Sequence, residues 1–381
     1  MRVLMVSDVY FPRVNGVSTS IETFRTSLRQ HGVEVRMVAP RYADEATAAD
    51  IVRVKGWQVP GDPEDRLLHW NAMHRAALAA AHDCDLIHIQ TPFVAHYAGL
   101  KAARALHKPV LATYHTLFEE YLQHYAPMLP ARWLRGQARA WSRRQCNALD
   151  AIVVPSSAMR KRLREYGVIS PMHVLPTGIP VRDFENADGA AFRRAHGIAP
   201  ERPVALFVGR VAHEKNIGFL LQALQHALQH CPELLLVIAG EGPARAELQQ
   251  QVAQKQLGDS VRFIGYLERR HALPDCYAAA DVFVFASLTE TQGLVLLEAM
   301  AAGTPVVALA EMGTIDILDS AQGAIVPPHD AAAFGQQLAG LFAQPERLTQ
   351  LRQQARSYAH AWSDTAMAGR LAALYRSLVA A

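Results

Sequence analysis

Short apolar runs alternate with longer amphipathic stretches along almost the whole chain, and this pattern limits the fold more than any other feature of the sequence. In the first half, the runs lie at residues 2–7, 33–40, 86–90, 110–115 and 151–155. In the second half, they lie at residues 204–211, 234–239, 261–266, 282–286 and 305–309. Strand-length runs separated by helical patterns are typical of parallel sheets built from repeated β-α units. The sequence therefore predicts an α/β protein in which one architecture occurs twice.

Turn-forming residues at 176–180, with two prolines and a glycine, separate the two sets of strands. Such residues interrupt both helices and strands, so the predicted domains cover residues 1–176 and 177–362. At 381 residues the chain is long enough for two hydrophobic cores. Residues 363–381 have the pattern of an amphipathic helix, which we expect to pack back on the first domain.

Charge is distributed unevenly, although the formal net charge is only +3. Residues 1–176 hold 22 basic and 15 acidic residues, whereas residues 177–381 hold 16 and 20. The small net charge argues against a dedicated nucleic-acid binder, and we expect no nucleic-acid partner. A basic half is typical of proteins with an anionic partner, but scattered solvated arginines would produce the same count.

The sequence contains no run of 18 apolar residues, and its N-terminus lacks the apolar core and small-residue cleavage site of a signal peptide. We therefore expect a cytoplasmic protein, peripheral on the inner face of the cell membrane if it binds a membrane at all. The four cysteines lie far apart without the spacing of a zinc site. We expect them to be reduced, buried thiols.

Candidate ligand-binding residues follow the predicted strands, because parallel sheets bind ligands beyond the carboxyl ends of their strands. After the first strand of the second half, Arg210 and Lys215 place two cations five residues apart ahead of a helix. Two such cations are suited to clamp a diphosphate, although solvated surface residues would look the same. Gly16, after the first strand of the chain, precedes a helix whose N-terminus favours a phosphate. A plain Asn-Gly turn is the alternative there.

Glu290 and Glu298 follow a later strand and stand eight positions apart. The spacing alone does not identify a functional pair, because Glu233 and Glu241, which we take to be unrelated, have the same spacing. The context is informative, since Glu290 precedes a helix that opens at Gly293 and whose first N–H groups can face a phosphate. Carboxylates accept strong hydrogen bonds from sugar hydroxyls. A nucleotide diphosphate-sugar would account for the cations, the helix start and the carboxylates together.

The segment 208–210 with Lys215, the two glutamates and the run at 299–308 resemble the donor-site motif of retaining glycosyltransferases of family 4. The resemblance covers nearly the whole chain. It implies the GT-B fold, in which two Rossmann-like domains face each other across a cleft. It also implies a hexosyltransferase that moves a sugar from a nucleotide-sugar with its α configuration kept, with no essential metal or cofactor.

The resemblance further implies roles for individual residues. Arg210 and Lys215 would hold the donor diphosphate, Glu290 the transferred sugar and Glu298 the nucleotide ribose. Further donor-binding residues implied by the motif are Gly16, Thr291, Gln292, Gly293, Leu294 and Val295.

His115 follows a predicted strand, and the resemblance places it beside the reacting centre; a buried structural histidine is the alternative. The chain departs from the family pattern at residues 291–292, where many members have Gly-Phe. It departs again at residues 312–314, where many have a Gly-Gly pair. Contacts at these positions are therefore open.

Residues 113–122 and 289–294 are similar to the branch that glycosylates diacylglycerol with a UDP-sugar. A separate feature favours a lipid acceptor, because residues 131–149 contain no acidic residue. In a helix, Arg132, Arg135, Arg139 and Arg143 form one stripe opposite Leu134, Ala138 and Trp141, as in an interfacial helix. A surface helix that buries its tryptophans in the core is the alternative. The predicted membrane or acceptor surface consists of Arg132, Trp133, Arg135, Arg139, Trp141, Arg143 and Arg144.

Other functions stay open at this point. One is a GDP-mannose-dependent α-mannosyltransferase acting on a lipid or soluble glycan, and another is an inactive scaffold that binds a nucleotide-sugar. A dehydrogenase is a distant alternative, because Gly240-Glu241-Gly242-Pro243 follows a strand but lacks the complete glycine motif.

Overall fold

The structure is a computed structural model that describes residues 1–43, 48–59, 62–115, 131–269, 271–318 and 322–381. For residues 59, 62–65 and 131–135 it describes the backbone only. The chain divides into two compact units. The first unit contains Met1–Gly178 and Asp364–Ala381, and the second unit contains Ile179–Ser363.

The first unit is a mostly parallel sheet with helices packed on it. Its strands are β1 (Arg2–Val6), β2 (Glu34–Arg41), β3 (Ile51–Val59), β4 (Asp62–Leu68), β5 (Leu86–Ile89), β6 (Val110–Thr113), β7 (Ala151–Val154) and β8 (Met172–Val174). Its helices are α1 (Gly16–Ser27), α2 (Trp70–Ala81), α3 (Val94–Leu106), α4 (Ala131–Cys146) and α5 (Ser157–Glu165), and a 3-10 helix covers Leu28–His31. The strand order is β4-β3-β2-β1-β5-β6-β7-β8, and β3 and β4 pair antiparallel.

The second unit repeats this plan with a smaller sheet. Its strands are β9 (Val204–Val208), β10 (Leu235–Ala239), β11 (Val261–Gly265), β12 (Val282–Phe285), β13 (Val306–Ala308) and β14 (Ala324–Ile325), in the order β11-β10-β9-β12-β13-β14. Its helices are α6 (Arg182–Glu185), α7 (Gly189–Ala195), α8 (Ile217–Ala227), α9 (Arg245–Gln254), α10 (Ala272–Ala279), α11 (Leu294–Ala301), α12 (Ile315–Leu318), α13 (Ala331–Phe342) and α14 (Pro345–His360). Two 3-10 helices cover His213–Lys215 and Met312–Thr314.

The central strands are buried on both faces, which explains their unbroken apolar sequences. All five residues of β9 and all five of β10 are buried, as are the four of β12. Each of these strands pairs in parallel with its neighbours. The predicted α/β class is confirmed, and most predicted strands overlap an observed strand with ends shifted by a few residues.

The last helix, α15 (Asp364–Ala380), belongs to the first unit and packs on α1 and the 3-10 helix that follows it. Its fully buried Tyr375 has its hydroxyl 2.6 Å from Nδ1 of His88 on β5. At its start, Asp364 accepts a hydrogen bond of 2.7 Å from the Ser27 hydroxyl. The helix therefore completes the core of the unit that begins the chain.

Some local expectations were wrong or incomplete. The sequence prediction missed β3, whose residues 51–58 are partly exposed, its partner β4, and the short strands β8 and β14. Cys84, Cys146 and Cys276 are buried thiols, but Cys231 is only half-buried. Among the described residues, none of the helices is both long and apolar enough to span a bilayer.

Candidate active site

The second sheet has a switch point between β9 and β12. From β9 the chain adds β10 and β11 on one side and then returns to add β12 and β13 on the other. The loops after β9 and β12 therefore leave neighbouring strands in opposite directions and open a crevice, where ligands bind in open α/β sheets. Arg210 and Lys215 lie in the first of these loops, and Glu290 lies in the second.

Lys215 and Glu290 are brought together across this switch point. The Lys215 ammonium donates to Oε1 of Glu290, although 75 residues separate them in the chain. Their side chains are only 19% and 18% exposed, so the ion pair is partly shielded from water. The Lys215 ammonium is suited to bind a phosphate, and the Glu290 carboxylate is suited to accept a hydrogen bond from a sugar hydroxyl.

Arg210 lies five residues before Lys215 and has a different partner. Its guanidinium donates to Glu214, and 63% of the Arg210 side chain is exposed. The Glu214 carbonyl in turn accepts a hydrogen bond from the Ser287 hydroxyl at 3.3 Å, which ties the β9 loop to the β12 loop. Because an exposed ion pair is weak, Arg210 is available to exchange Glu214 for an anionic ligand.

The loop after β10 supports the backbone that carries Arg210. Gly209 donates to the Ala239 carbonyl at 3.0 Å, and Val211 donates to the Glu241 carbonyl at 2.9 Å. Gly240 has φ +142°, and a Cβ built there would lie 1.9 Å from the Gly209 carbonyl oxygen. Gly240 and Gly242 therefore allow two loops to pack backbone against backbone. This close packing explains the two glycines, so a dinucleotide-binding site is not needed to explain them.

The start of α11 is shaped by Gly293, which has φ +90° and is buried. A Cβ at Gly293 would come within 2.9 Å of the Thr314 methyl group, so a larger residue does not fit. The N–H groups of Leu294 and Val295 belong to the first turn of α11 and have no acceptor within the helix. The backbone of Thr291 and the buried Gln292 pack against residue 313, where a built Cβ would lie 2.1 Å from the Thr291 carbonyl oxygen.

Glu298, in the second turn of α11, is nearly inaccessible, and its side chain is 4% exposed. Arg269 donates from Nη2 to its Oε1 at 2.7 Å. The Tyr277 hydroxyl donates to its Oε2 at 2.9 Å. The nearby carboxylate raises the pKa of Arg269, and burial followed by that carboxylate raises the pKa of Tyr277. Sequence reasoning missed both partners, because they lie on other elements of the unit.

Gly16 lies in the first unit, at the first position of α1, after the loop that leaves β1. It is exposed, and a Cβ built there would meet no atom within 4 Å. Asn15 caps the helix, since its side-chain oxygen accepts from the Ser18 N–H at 2.8 Å. The structure thus leaves open space beside the helix N-terminus that the sequence singled out.

His115 lies two residues beyond β6 rather than at its end, and it is hydrogen-bonded to Gln90. Its Nε2 is 3.1 Å from Oε1 of Gln90, which lies just after β5. Burial lowers the pKa of His115 to about 4, so the ring is neutral near pH 7. Because an amide oxygen only accepts, Nε2 carries the proton and Nδ1 keeps a lone pair.

Asp8, directly after the β1 segment, is a further buried group at the same edge. Its carboxylate accepts from the Thr91 hydroxyl at 2.7 Å and from the Ala95 N–H at 3.0 and 3.1 Å, which caps α3. Burial raises the pKa of Asp8 to about 6. The position of an acid immediately after a strand was the available signal, and the sequence prediction did not use it.

Comparison with known proteins identifies the family of this chain. The family model described as "Glycosyltransferase Family 4" matches residues 14–183, and the one described as "Glycosyl transferases group 1" matches residues 188–358. The "Alpha-monoglucosyldiacylglycerol synthase" of Streptococcus pneumoniae is 34% identical over 321 residues, which cover 81% of this chain and 71% of that protein. The chain belongs to glycosyltransferase family 4. The predicted resemblance of this glycosyltransferase to the diacylglycerol glycosyltransferase branch is confirmed, and so is its assignment as a hexosyltransferase.

The glycosyltransferase is also similar to a mannosyltransferase in sequence and to a solved structure in fold. The "GDP-mannose-dependent alpha-mannosyltransferase" of Mycolicibacterium smegmatis is 30% identical over 332 residues, covering 84% of this chain and 82% of that one. The solved structure of Anabaena Alr3699/HepE in complex with UDP has a TM-score of 0.78 over 99% of this chain and 100% of that one, at 17% identity. The predicted GT-B class, with two Rossmann-like units, is confirmed.

The arginine-rich helix α4 of the glycosyltransferase has a buried and an exposed face. Ala138 is buried, and its neighbours Arg139, Arg143 and Arg144 are exposed. The Arg139 guanidinium lies 5.5 Å from the centre of the Tyr166 ring. The side chains of Arg132, Trp133 and Arg135 lie outside the described residues, as do residues 116–122 of the segment similar to the diacylglycerol branch.

Trp141 contributes to an aromatic cluster at the surface of the glycosyltransferase. Its indole N–H donates to the Tyr97 hydroxyl at 2.8 Å, and its ring centre lies 6.2 Å from that of Phe93. Phe93 and Tyr97 are both exposed. Trp141, itself half-buried, therefore packs on two exposed aromatic residues.

Proposed function

We propose that this glycosyltransferase transfers a hexose from a UDP-sugar to a diacylglycerol-type lipid and forms an α-glycosidic bond. The observation that carries the proposal is the ion pair of Lys215 and Glu290 at the switch point of the second sheet, beside the start of α11. Two relatives named "Alpha-monoglucosyldiacylglycerol synthase", from Streptococcus pneumoniae and Acholeplasma laidlawii, support the lipid acceptor. The UDP bound in the similar Anabaena structure supports the nucleotide.

In this proposal the second unit binds the donor. Arg210 leaves Glu214 and pairs with the diphosphate, while Lys215 and the first N–H groups of α11 contact the same phosphates. Glu290 accepts hydrogen bonds from hydroxyls of the sugar, and Glu298 accepts them from the ribose. These cations and N–H dipoles balance the charge that develops on the leaving diphosphate, so the proposed reaction requires no metal.

The first unit is proposed to bind the acceptor. The acceptor hydroxyl attacks the anomeric carbon from the face that the diphosphate leaves, the C–O bond to the diphosphate breaks, and the leaving phosphate oxygen takes the hydroxyl proton. This front-face displacement retains the configuration of the sugar. His115 is neutral and keeps a lone pair on Nδ1, so it is suited to accept a hydrogen bond from a substrate hydroxyl.

We also propose that the first unit rests on an anionic membrane. Arg139, Arg143 and Arg144 of α4 are exposed, and the half-buried Trp141 of the same helix forms an aromatic cluster with the exposed Phe93 and Tyr97. Each basic residue near an anionic leaflet contributes about 1 kcal/mol, and aromatic rings favour the headgroup region. A lipid acceptor would then be reached without leaving the bilayer surface.

A donor panel tests the function. The protein is incubated with diacylglycerol in mixed micelles and with UDP-glucose, UDP-galactose, UDP-glucuronate or GDP-mannose, and lipid products are identified by mass spectrometry. We expect a hexosylated diacylglycerol with one UDP-sugar and an α linkage in its NMR spectrum. Product from GDP-mannose alone would favour the mannosyltransferase suggested by the Mycolicibacterium relative. Donor binding without any product would favour a scaffold.

A further inference from the structure

Glu298 is a buried charge whose surroundings are built to hold it in one place. Moving an ionised carboxylate away from water is costly unless fixed donors replace the water. Here each of its two oxygens receives one donor: Arg269 at 2.7 Å on Oε1 and Tyr277 at 2.9 Å on Oε2. The carboxylate is thereby restrained at both ends, which fixes the rotation of its plane.

The phenol that holds Oε2 is itself rigid. Tyr277 is fully buried on α10, and its ring centre lies 5.9 Å from that of Phe184 and 5.7 Å from that of Phe283. Its carbonyl accepts a hydrogen bond of 2.7 Å from the Thr304 hydroxyl. The Tyr277 hydroxyl is protonated at neutral pH, so it acts as a donor at a position set by the core of the second unit.

The other donor faces solvent. The Arg269 side chain is 47% exposed, whereas that of Glu298 is 4% exposed. Arg269 therefore covers the carboxylate on its accessible side, and Tyr277 supports it from the protein interior.

Two hydrogen bonds do not saturate a carboxylate. Its two oxygens have about four acceptor positions in total, and the bonds from Arg269 and Tyr277 use one on each oxygen. In the part of the chain that the structure describes, no other donor bonds to these oxygens, so one position on each is open to a ligand. Two acceptors on one rigid plane match two neighbouring hydroxyls of a ligand, such as the 2′- and 3′-hydroxyls of a ribose.

We infer that Tyr277 and Arg269 are positioning residues that act through Glu298 and set its carboxylate plane for the ribose diol of the donor. The inference rests on the proposed function, in which Glu298 meets the ribose. A simple structural ion pair between α10, α11 and the loop after β11 would show the same contacts. The two roles can be distinguished by measurement, because removing a purely structural ion pair would change the affinities for a ribonucleotide and for its deoxy form equally.

The test is calorimetric binding of UDP, 2′-deoxy-UDP and 3′-deoxy-UDP, with the GDP series in parallel, to the wild-type protein and to Tyr277→Phe. We expect the wild type to favour the ribonucleotide by about 10-fold, on the scale of one hydrogen bond to a charged group. Tyr277→Phe should weaken the ribonucleotide by about 10-fold and the deoxy forms by less than about 2-fold. Tyr358→Phe is the matched control, because the Tyr358 hydroxyl also donates within the second unit, to the Ile317 carbonyl at 2.9 Å.

Equal losses for the ribonucleotide and the deoxy forms in Tyr277→Phe would overturn the inference and leave the proposed function intact. A wild type that binds none of the nucleotides would overturn both. If Tyr277→Phe does not fold, Arg269→Gln and Arg269→Lys give the same comparison from the accessible side. We expect Lys to restore more of the ribose preference than Gln, and equal preferences in both variants would count against a positioning role for Arg269.

Discussion

Replacing Lys215 with alanine removes the cation that the structure pairs with Glu290 in the candidate site. Lys215 and Glu290 are each less than one-fifth exposed, so neither charge is well compensated by water when its partner is lost. Loss of one preorganised charge-stabilising donor lowers kcat by roughly 10²- to 10³-fold, or about 2.7–4 kcal/mol. We expect Lys215→Ala to fall in this range, and its KM for the donor to rise because Glu290 then repels the diphosphate.

The assay is release of the nucleotide at saturating lipid acceptor, with the donor concentration varied. Lys255→Ala is the matched control, since Lys255 lies in the same unit and donates to Gln225 at 2.8 Å, outside the crevice. We expect the control to keep wild-type kcat and KM, and circular dichroism of both variants to match the wild type.

A double-mutant cycle with Glu290→Ala separates catalysis from simple ion pairing. If Lys215 serves the diphosphate and Glu290 serves the sugar, the double variant loses far more activity than either single variant. If the two residues only stabilise each other, the double variant is no worse than Lys215→Ala. That second result, or a Lys215→Ala kcat within about 3-fold of wild type, would refute the assignment of Lys215 to the leaving group.

Three other predictions concern pH, backbone strain and the membrane. His115 has a folded pKa of about 4, below its unfolded value of 6.5, so the folded state binds fewer protons between these values and loses stability as pH falls through 6.5 toward 4. Between pH 6.5 and 5 this lowers the free energy of unfolding by about 2 kcal/mol. We expect the free energy of unfolding of His115→Gln, measured with urea, to fall by correspondingly less than that of the wild type over the same pH range. Met312 has φ +53°, a left-handed backbone conformation that glycine adopts without strain, so Met312→Gly should stabilise the protein by about 0.5–1 kcal/mol in thermal unfolding; a lower melting temperature would contradict this. Wild type should sediment with vesicles that contain anionic lipid but not with neutral vesicles, and Trp141→Ala should bind at least about 5-fold more weakly; equal recovery in both supernatants would remove the membrane proposal.

The sheet strands could be predicted because their apolar residues are contiguous and buried on both faces, as in β9 and β10. The β3 and β4 pair could not, since exposed residues of β3 interrupt the apolar pattern and the antiparallel pairing breaks the β-α alternation. The cations and carboxylates of the second unit could be proposed because each follows a strand, and the carboxyl ends of parallel strands share one edge. Their pairing is a separate matter, because Lys215 meets Glu290 only after β12 is placed beside β9.

The partners that tune the site show where sequence reasoning ends. Gln90 lies 25 residues before His115, yet it sets which nitrogen of that histidine carries the proton. Tyr277 lies 21 residues before Glu298 and resembles an ordinary core tyrosine in the sequence, because its ring is packed among phenylalanines and only its hydroxyl faces the carboxylate. The ring of such a residue is buried among apolar side chains, whereas its hydroxyl donates to a charged group. Hydrophobic patterning in the sequence predicts the burial but not the hydrogen bond. The function of Tyr277 becomes visible only when the donor atom and the buried acceptor are seen 2.9 Å apart.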